Sequence, residues 1–262
     1  MSGSLCVVGL GPGAPEHLTP AARAAIEAAD AVMGYKAYIE LARPLLRAGQ
    51  EILASGMTKE LARAAQAIEL ALAGRRVALI SSGDPGVYAM AAVVYEEARN
   101  RGLTFGSGPG QLDLNVLPGV PAVTAAAALL GAPLAHDFAC ISLSDRLTPW
   151  ELIEKRLNAA AGADFVIALY NPKSKGRDWQ LAKALAIIGR HRAPATPLGV
   201  VKNAMRPDQL VSLTSLGGFL PATVDMHCLL IVGNSQSFVH AGRMVTPRGY
   251  LGKYGQDWAG GE

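Results

Sequence analysis

Short apolar runs of strand length alternate with amphipathic helical patterns along most of the chain. The strand-like runs are 5–10, 31–35, 76–86, the start of 114–133, 138–145, 164–172, 197–203, 210–214 and 228–233. Such alternation predicts parallel or mixed β-sheets covered by helices. About ten strands suit two α/β halves better than one sheet. The pattern therefore predicts an α/β protein of two domains with mixed sheets.

Several helices are predicted from their ends and apolar faces. Thr19 followed by Pro20 is typical of an N-cap and a first helical residue. Segment 59–72 places one apolar residue per turn on a single stripe, namely Leu61, Ala65, Ile68 and Leu72. Segment 86–100 predicts a further helix, and Thr148–Glu151 has the spacing of a capping box. These signals place a helix after most of the predicted strands.

The pattern of residues along the sequence changes near Val120, and we place the domain boundary there. We expect an N-terminal α/β domain at 1–119, a C-terminal α/β domain at 120–246 and a glycine-rich, poorly constrained tail at 247–262.

Composition and charge exclude several classes of protein. The formal charge of +3 and the lack of a dense Lys/Arg block argue against a nucleic-acid-binding protein. The most apolar segment, 125–135, is short and broken by Gly131 and Pro133, so we expect no membrane span. The three cysteines lie far apart in strand-like runs, and we assign no metal site. With no secretory signal pattern, the expected location is cytoplasmic.

The first glycine loop, Gly9–Gly13, nominally satisfies the fingerprint of a dinucleotide-binding turn. In such a turn a helix begins at the second glycine, so that its first amides face a pyrophosphate. Here Pro12 and Pro15 remove two amides, and the helix cap waits until Thr19. The acid expected after the second strand is also missing, since Tyr35 and Lys36 stand there. The NAD(P) hypothesis is therefore weak.

Glycine-rich loops follow three of the predicted strands of the first half. They are Gly9–Gly13, Ser81–Gly86 and Pro118–Pro121. Ligands of open α/β sheets bind beyond the carboxyl ends of the strands, and glycines allow the backbone to approach them. Three such loops at one edge of a sheet predict a ligand site.

The same loops resemble a known family. Gly9-Leu10-Gly11-Pro12-Gly13, Gly83-Asp84-Pro85, and Pro118-Gly119-Val120 before an alanine-rich helix resemble the tetrapyrrole methylases, the enzymes of corrin and sirohaem synthesis that use S-adenosylmethionine (SAM). The resemblance runs in order over about residues 5–245.

Other stretches resemble the branch of that family that methylates C17 of precorrin-3B in cobalamin biosynthesis. They are Val32–Tyr38, Ile141–Glu151, Tyr170–Lys175 and Val201–Ala204. Segment Phe105–Gln111 departs from the family pattern as an insertion before the fifth strand of the family, and its role is open.

The resemblance implies the class III SAM methyltransferase fold, a homodimer, and SAM held in the cleft between the domains, with S-adenosylhomocysteine (SAH) as product. By family position, the cofactor residues would be Pro12, Gly83, Asp84, Pro85, Pro121, Ala122, Tyr170, Asn171, Ala204 and Gly233. Pro121 replaces the threonine that is usual in the family, which removes a hydroxyl, so backbone groups would have to make that hydrogen bond.

The family reaction also implies chemistry beyond methyl transfer. C17 methylation accompanies ring contraction, in which C20 leaves the ring as an acetyl group, and this bond migration needs a proton donor or acceptor. Asp145 and Lys202 are our catalytic candidates, ahead of His136. Structural roles compete with each: Asp145 could cap the next helix, and Lys202 could only pair with a substrate carboxylate.

The substrate of such an enzyme carries many carboxylates, so cations in loops after strands are candidate substrate-binding residues. They are Lys36, Arg146, Lys173, Lys175 and Arg206. The alternatives are a tetrapyrrole methylase of C11 or C20 specificity, an NAD(P)-dependent oxidoreductase, and a non-catalytic tetrapyrrole carrier. Whether the substrate contains cobalt is left open by the sequence.

Overall fold

A computed structural model describes residues 3–56 and 58–258 of the chain. It divides into two compact units, the first ending at Ala122 and the second beginning at Val123. The division lies three residues after the boundary expected from the sequence. Each unit has its own sheet and its own apolar core.

The first unit is built on a five-stranded sheet. Its strands are β1 (Ser4–Gly9), β2 (Ala31–Tyr35), β3 (Glu51–Ser55), β4 (Arg76–Ser81) and β5 (Leu114–Leu117). They lie in the order β3-β2-β4-β1-β5, and every neighbouring pair is parallel. All five carboxyl ends therefore share one edge of the sheet, where the loops that follow them also lie.

Four helices connect these strands and cover both faces. They are α1 (Pro20–Ala28), α2 (Lys36–Ala42), α3 (Glu60–Leu72) and α4 (Met90–Asn100). The predicted cap of α1 is confirmed, since the Thr19 hydroxyl accepts a hydrogen bond from the Ala22 amide at 3.1 Å. Helix α4 begins at Met90, later than expected, because the chain first makes turns through Pro85 and Gly86.

The predicted apolar stripe of α3 is confirmed only at Ile68, which is buried. Leu61 is 64% exposed and Leu72 43% exposed. The buried face instead consists of Arg63, Ala64, Ala67, Ile68 and Ala71. This face has the same helical spacing as the predicted one but smaller side chains, which allows α3 to pack closely against α4.

The second unit contains a mixed sheet. After α5 (Ala122–Leu130) and β6 (Gly131–Ala132), its elements are β7 (Phe138–Ser142), α6 (Trp150–Gly162), β8 (Val166–Tyr170), α7 (Gln180–Ile188), β9 (Pro197–Lys202), β10 (Leu210–Ser215), β11 (Cys228–Val232), β12 (Phe238–His240), β13 (Arg243–Val245) and α8 (Tyr250–Trp258). The main sheet has the order β10-β9-β11-β8-β7, and β12, β13 and β6 form a small second sheet.

Strand directions decide which loops of the second unit are neighbours. Strands β7 and β8 are parallel, whereas β11 is antiparallel to both β8 and β9. The carboxyl ends of β7, β8 and β9 consequently share one edge with the beginning of β11. The pairs Ser142–Tyr170 and Lys202–Cys228 mark this edge.

One expectation for the second unit is wrong. The N-cap of α6 is Pro149, without a side-chain cap bond, so Thr148 and Glu151 do not form the expected capping box. The expectation of a poorly constrained tail at 247–262 stays a prediction; of its described residues, Tyr250–Trp258 form helix α8. Across the described residues, no helix combines the length and apolarity needed to cross a membrane.

Candidate functional site

Three glycine loops of the first unit meet at the carboxyl edge of its sheet. Gly11 and Gly83 form a small antiparallel bridge, in which the Gly11 amide donates to the Gly83 carbonyl at 3.1 Å and the Gly83 amide donates to the Gly11 carbonyl at 2.7 Å. Both residues have φ of +68°, a conformation that favours glycine. The loops after β1 and β4 are thus joined through their backbones.

The third loop comes so close to these two that side chains are excluded. A Cβ on Gly119 would lie 2.3 Å from the Gly83 carbonyl oxygen, and a Cβ on Gly9 would lie 2.6 Å from the Gly119 nitrogen. Contacts this short with backbone atoms require glycine at both positions. The sequence-based expectation that the three loops come together is confirmed.

Asp84 links two of the loops through its carboxylate. One oxygen, Oδ1, accepts from the Gly86 amide at 2.7 Å, and Oδ2 accepts from the Gly119 amide at 3.1 Å. Hydrogen bonds from amides to a carboxylate are stronger than bonds between neutral groups. In this structure Asp84 holds the loop after β4 against the loop after β5.

The remaining cofactor candidates of the first unit lie beside these glycines. Pro12 and Pro85 are buried. The position of a Cβ on Gly83 is 3.7 Å from both the Pro121 Cα and the Ala122 nitrogen. The structure therefore brings all the first-unit candidates to one edge of the sheet.

This arrangement differs from a phosphate-binding turn. The first loop is followed by a short 3₁₀ turn, Pro15–His17, and α1 begins only at Pro20. No helix begins at Gly11, so a row of helical amides does not face the loop. The edge presents backbone groups and proline rings in place of a row of helical amides.

In the second unit, Tyr170 and Asn171 stand at the end of β8. The Tyr170 hydroxyl accepts from the Val123 amide near the start of α5 at 3.0 Å. Asn171 has φ of +50°, and its amide nitrogen donates to the Ser142 hydroxyl at 2.9 Å. Ala204 lies in the loop after β9, at the same edge, between two residues with positive φ.

Gly233 is the exception among the cofactor candidates. It follows β11, which runs opposite to β8 and β9, and its amide donates to the carbonyl of Pro197 at the beginning of β9. A Cβ on Gly233 would lie 2.6 Å from the Ser237 Cβ. Gly233 therefore lies at the edge opposite Tyr170 and Asn171, and its surroundings account for the glycine by packing.

Asp145 follows β7 and is held by a neighbour from α7. The Gln180 side-chain amide donates to its Oδ2 at 2.9 Å. Arg177 is buried nearby, and its Nη1 donates to the Leu143 carbonyl at 2.9 Å. Burial lowers the pKa of Arg177, and the Asp145 carboxylate opposes that effect. Asp145 is thus oriented by Gln180 and lies in the field of a buried cation.

Lys202 is paired in this structure. Its Nζ lies 2.6 Å from Oδ2 of Asp225, and this hydrogen-bonded pair raises the pKa of the lysine. Asp225 also accepts from the His227 amide at 2.9 Å. Burial would raise the pKa of Asp225, but its hydrogen bonds with Lys202 and the His227 amide leave it lowered. Lys202 is therefore a charged ammonium with its own carboxylate partner.

The candidate substrate-binding cations all follow strands, as expected. Lys36 is exposed at the first position of α2 in the first unit. In the second unit, Arg146 is exposed after β7, and Lys173 and Lys175 lie in the loop after β8. Two backbone hydrogen bonds of 2.9 Å between Ser174 and Arg177 close that loop. Arg206 lies after β9, where its amide donates to the Asn203 carbonyl at 3.1 Å.

Three residues that structure the site were missed from the sequence. Gln180 and Asp225 orient Asp145 and Lys202 from sequence distances that no local motif reveals. Arg63 is buried on α3, and the assumed stripe placed it away from the core. The sequence does place Arg63 on a second helical stripe, next to small residues, and this position was the available signal that it could be buried.

A family model described as "Tetrapyrrole (Corrin/Porphyrin) Methylases" matches residues 4–219. Among named proteins, the chain is 49% identical to "Cobalt-factor III methyltransferase" of Priestia megaterium over 97% of its own length. It spans only 46% of that relative. It is 47% identical to "Probable cobalt-factor III C(17)-methyltransferase" of Salmonella typhimurium, covering 94% of this chain and 99% of the relative. A third relative, "Precorrin-3B C(17)-methyltransferase" of Sinorhizobium sp, is 41% identical over 96% of this chain and 99% of its own.

Solved structures of methyltransferases also match this chain. The structure titled as the methyltransferase CobJ matches with a TM-score of 0.88 and 39% identity, covering 94% of this chain and all of the other. A uroporphyrin-III C-methyltransferase from Thermus thermophilus complexed with S-adenosylhomocysteine matches with a TM-score of 0.66 and 26% identity, covering 88% of this chain and 92% of the other.

Proposed function

Because the chain belongs to the family of tetrapyrrole (corrin/porphyrin) methylases, we propose that it transfers a methyl group from SAM to C17 of a precorrin-3-type tetrapyrrole. The reaction contracts the macrocycle to a precorrin-4-type product in cobalamin biosynthesis. The names of its relatives support the position of methylation, since two of those reported specify C17. The relatives are named for cobalt-factor III and for precorrin-3B, so the proposal covers either substrate.

The observation that carries this proposal is the joining of three glycine loops at one sheet edge. Gly11, Gly83 and Gly119 approach through their backbones, and Asp84 fixes them with two amide hydrogen bonds. SAM supplies an activated methyl group on a sulfonium, whose leaving group is a neutral thioether. The protein then has mainly to hold and orient the reactants, which contributes up to about 7–11 kcal/mol. A rigid backbone surface is suited to that task.

The proposed cofactor residues are those that the structure brings to these edges. In the first unit they are Pro12, Gly83, Asp84, Pro85, Pro121 and Ala122, and in the second they are Tyr170, Asn171 and Ala204. Gly233 leaves this set, because it lies at the other edge of its sheet.

Ring contraction needs a proton donor or acceptor beside the migrating bond, and Asp145 is our first candidate for this role. Its carboxylate is oriented by Gln180 and remains partly accessible. A positioned carboxylate contributes about 10²–10⁴-fold as a general acid or base. Lys202 is a weaker proton donor than an ordinary lysine, because its pKa is raised by Asp225. The proposed role of Lys202 is to keep a positive charge near the reacting ring.

The proposal is tested by incubating the protein anaerobically with SAM and either cobalt-factor III or precorrin-3B. We expect a product whose mass rises by one methyl group in place of one hydrogen, together with one equivalent of SAH. Binding of SAH is measured separately by calorimetry. Tight SAH binding without methyl transfer to any C11, C17 or C20 substrate would contradict the catalytic function. Binding of NADH without binding of SAH would favour the oxidoreductase alternative.

A homodimer and a cytoplasmic location are part of the proposal on the strength of the family resemblance. Sedimentation equilibrium of the purified chain tests the first, with twice the monomer mass expected.

A further inference from the structure

Arg63 is a buried cation that forms no ion pair among the described residues, although the charge of the nearby Glu60 carboxylate opposes the effect of burial on its pKa. Arg63 is 6% exposed on the inner face of α3. Its Nε donates to the Ser55 hydroxyl at 2.7 Å, and its Nη2 donates to the Gly56 carbonyl at 2.9 Å. Its Nη1 lies 3.5 Å from the Met90 sulfur, a weak acceptor. Within residues 3–56 and 58–258, no carboxylate forms an ion pair with this guanidinium.

Burial of this guanidinium without an ion pair carries a desolvation cost. Buried charges are normally paired, because the loss of hydration is offset only by an opposite charge or by a full set of hydrogen bonds. Burial lowers the pKa of Arg63 in this structure, although a guanidinium stays protonated in proteins. Three hydrogen bonds use three of its five N–H donors, so one donor on each Nη is left for a further acceptor.

The guanidinium borders a cavity of about 330 Å³ in the first unit. Its polar lining comes from Ser55, Lys59, Arg63 and Gln66, and no residue of the lining is acidic. Apolar residues of β2 and β3, such as Met33 and Leu53, complete it. The charged residues of the lining are therefore both cations, Lys59 and Arg63.

The cavity has the position of a ligand site. It lies at the carboxyl ends of β2 and β3, the same sheet edge that carries the three glycine loops. Open α/β sheets bind ligands at this edge. Arginine binds a carboxylate with two parallel hydrogen bonds, and lysine adds a mobile positive charge.

We propose that this cavity, lined by Ser55, Lys59 and Arg63, binds a carboxylate side chain of the tetrapyrrole substrate. The inference rests on the proposed function for the identity of the substrate. A carboxylate could also come from the amino-acid part of SAM, and the experiment separates these two sources. In this account Arg63 is a substrate-binding residue whose charge is balanced when the substrate is bound.

Two variants test the site. Arg63→Lys keeps the charge but loses the paired donors, and Lys59→Gln removes an exposed charge without disturbing the core. Lys155→Gln, an exposed position on α6, is the matched control. The probes are uroporphyrin III, which carries acetate and propionate side chains, followed by its fluorescence, and SAH, followed by calorimetry. Thermal unfolding of each variant verifies the fold.

We expect the affinity for uroporphyrin III to fall about tenfold in Arg63→Lys and about threefold in Lys59→Gln, with SAH affinity within about twofold of the wild type. If Arg63→Lys does not fold, Lys59→Gln still decides the question. Unchanged uroporphyrin III affinity in the folded variants would overturn the inference and leave the proposed function intact. A loss of SAH affinity instead would assign the site to the cofactor and also overturn it. Wild-type protein that binds neither probe would contradict the proposed function itself.

Discussion

Removing the Asp84 carboxylate should loosen the joined glycine loops by a predictable amount. In Asp84→Ala the amides of Gly86 and Gly119 both lose a charged acceptor. Gly86 is exposed, so its amide turns to water at little cost. The Gly119 amide is partly buried, and a bond of this kind to a charged group contributes about 1.5–3 kcal/mol. We therefore expect the free energy of unfolding of the first unit to fall by about 1.5–3 kcal/mol.

Asp84→Asn should give a smaller effect of about 1 kcal/mol, because its amide oxygen keeps the Gly119 bond without the charge. Urea unfolding is followed by far-ultraviolet circular dichroism, since all three tryptophans, Trp150, Trp179 and Trp258, lie in the second unit. Hydrogen exchange of the loop peptides then locates the change, and SAH calorimetry measures its effect on binding, where we expect at least about tenfold weaker affinity in Asp84→Ala.

The matched control is Asp137→Ala, whose side chain is 68% exposed and lies in the second unit. This control should unfold like the wild type. The reasoning is refuted if Asp84→Ala changes the free energy of unfolding by less than about 0.5 kcal/mol and leaves exchange at Gly119 unchanged.

Three further predictions concern single ionisable groups. Asp145→Asn keeps an acceptor for the Gln180 amide, so we expect the SAH affinity to be unchanged. In single-turnover assays we expect product formation to be about 10²–10⁴-fold slower. A rate close to that of the wild type would show that Asp145 takes no part in the chemistry. Lys202→Gln should reduce turnover while Asp225→Asn, which frees the ammonium, should preserve it; equal losses in both would indicate a structural role for the pair. The side-chain hydrogen bond from Arg76 lowers the pKa of Asp30 to about 2, so this pair stabilises the fold above the unfolded-state pKa near 4, and the stabilisation is lost as the pH falls towards 2. Since solvent screens this largely exposed pair, the loss of stability in acid titrations should be small, and Asp30→Asn should abolish this part of the pH dependence.

The meeting of the glycine loops could be predicted from the sequence because parallel strands place their carboxyl ends at one edge. Strand runs such as 5–10 and 76–86 were recognisable from their apolar residues alone. The bond between Asp84 and Gly119 could not be predicted, because it joins residues 35 positions apart in sequence through a backbone amide. Such contacts depend on the final distance between loops, which no local pattern encodes.

Helix α3 shows where periodicity fails. The stripe of large residues through Leu61 and the stripe of small residues through Ala64 and Ala67 have the same spacing. The larger residues favoured the stripe through Leu61 as the buried face. Close packing against α4 instead buries the stripe through Ala64 and Ala67. Arg63 lies on the chosen face, and for that reason its cavity could not be foreseen.

Strand direction explains the misplaced Gly233. A residue that follows a strand lies at the ligand-binding edge only if that strand runs in the same direction as β8 and β9. The apolar run 228–233 does not reveal its direction. In a mixed sheet, each antiparallel strand sends its following loop to the opposite edge, and β11 does so here.

The central claim is methyl transfer from SAM to C17 with contraction of the ring. Its most direct test supplies SAM with an isotope-labelled methyl group to the wild-type protein and locates the label in the product by nuclear magnetic resonance. With precorrin-3B as the substrate, the account predicts label at C17 of a ring-contracted product that carries an acetyl group. Label at C11 or C20, or a methylated product whose ring is not contracted, would contradict it.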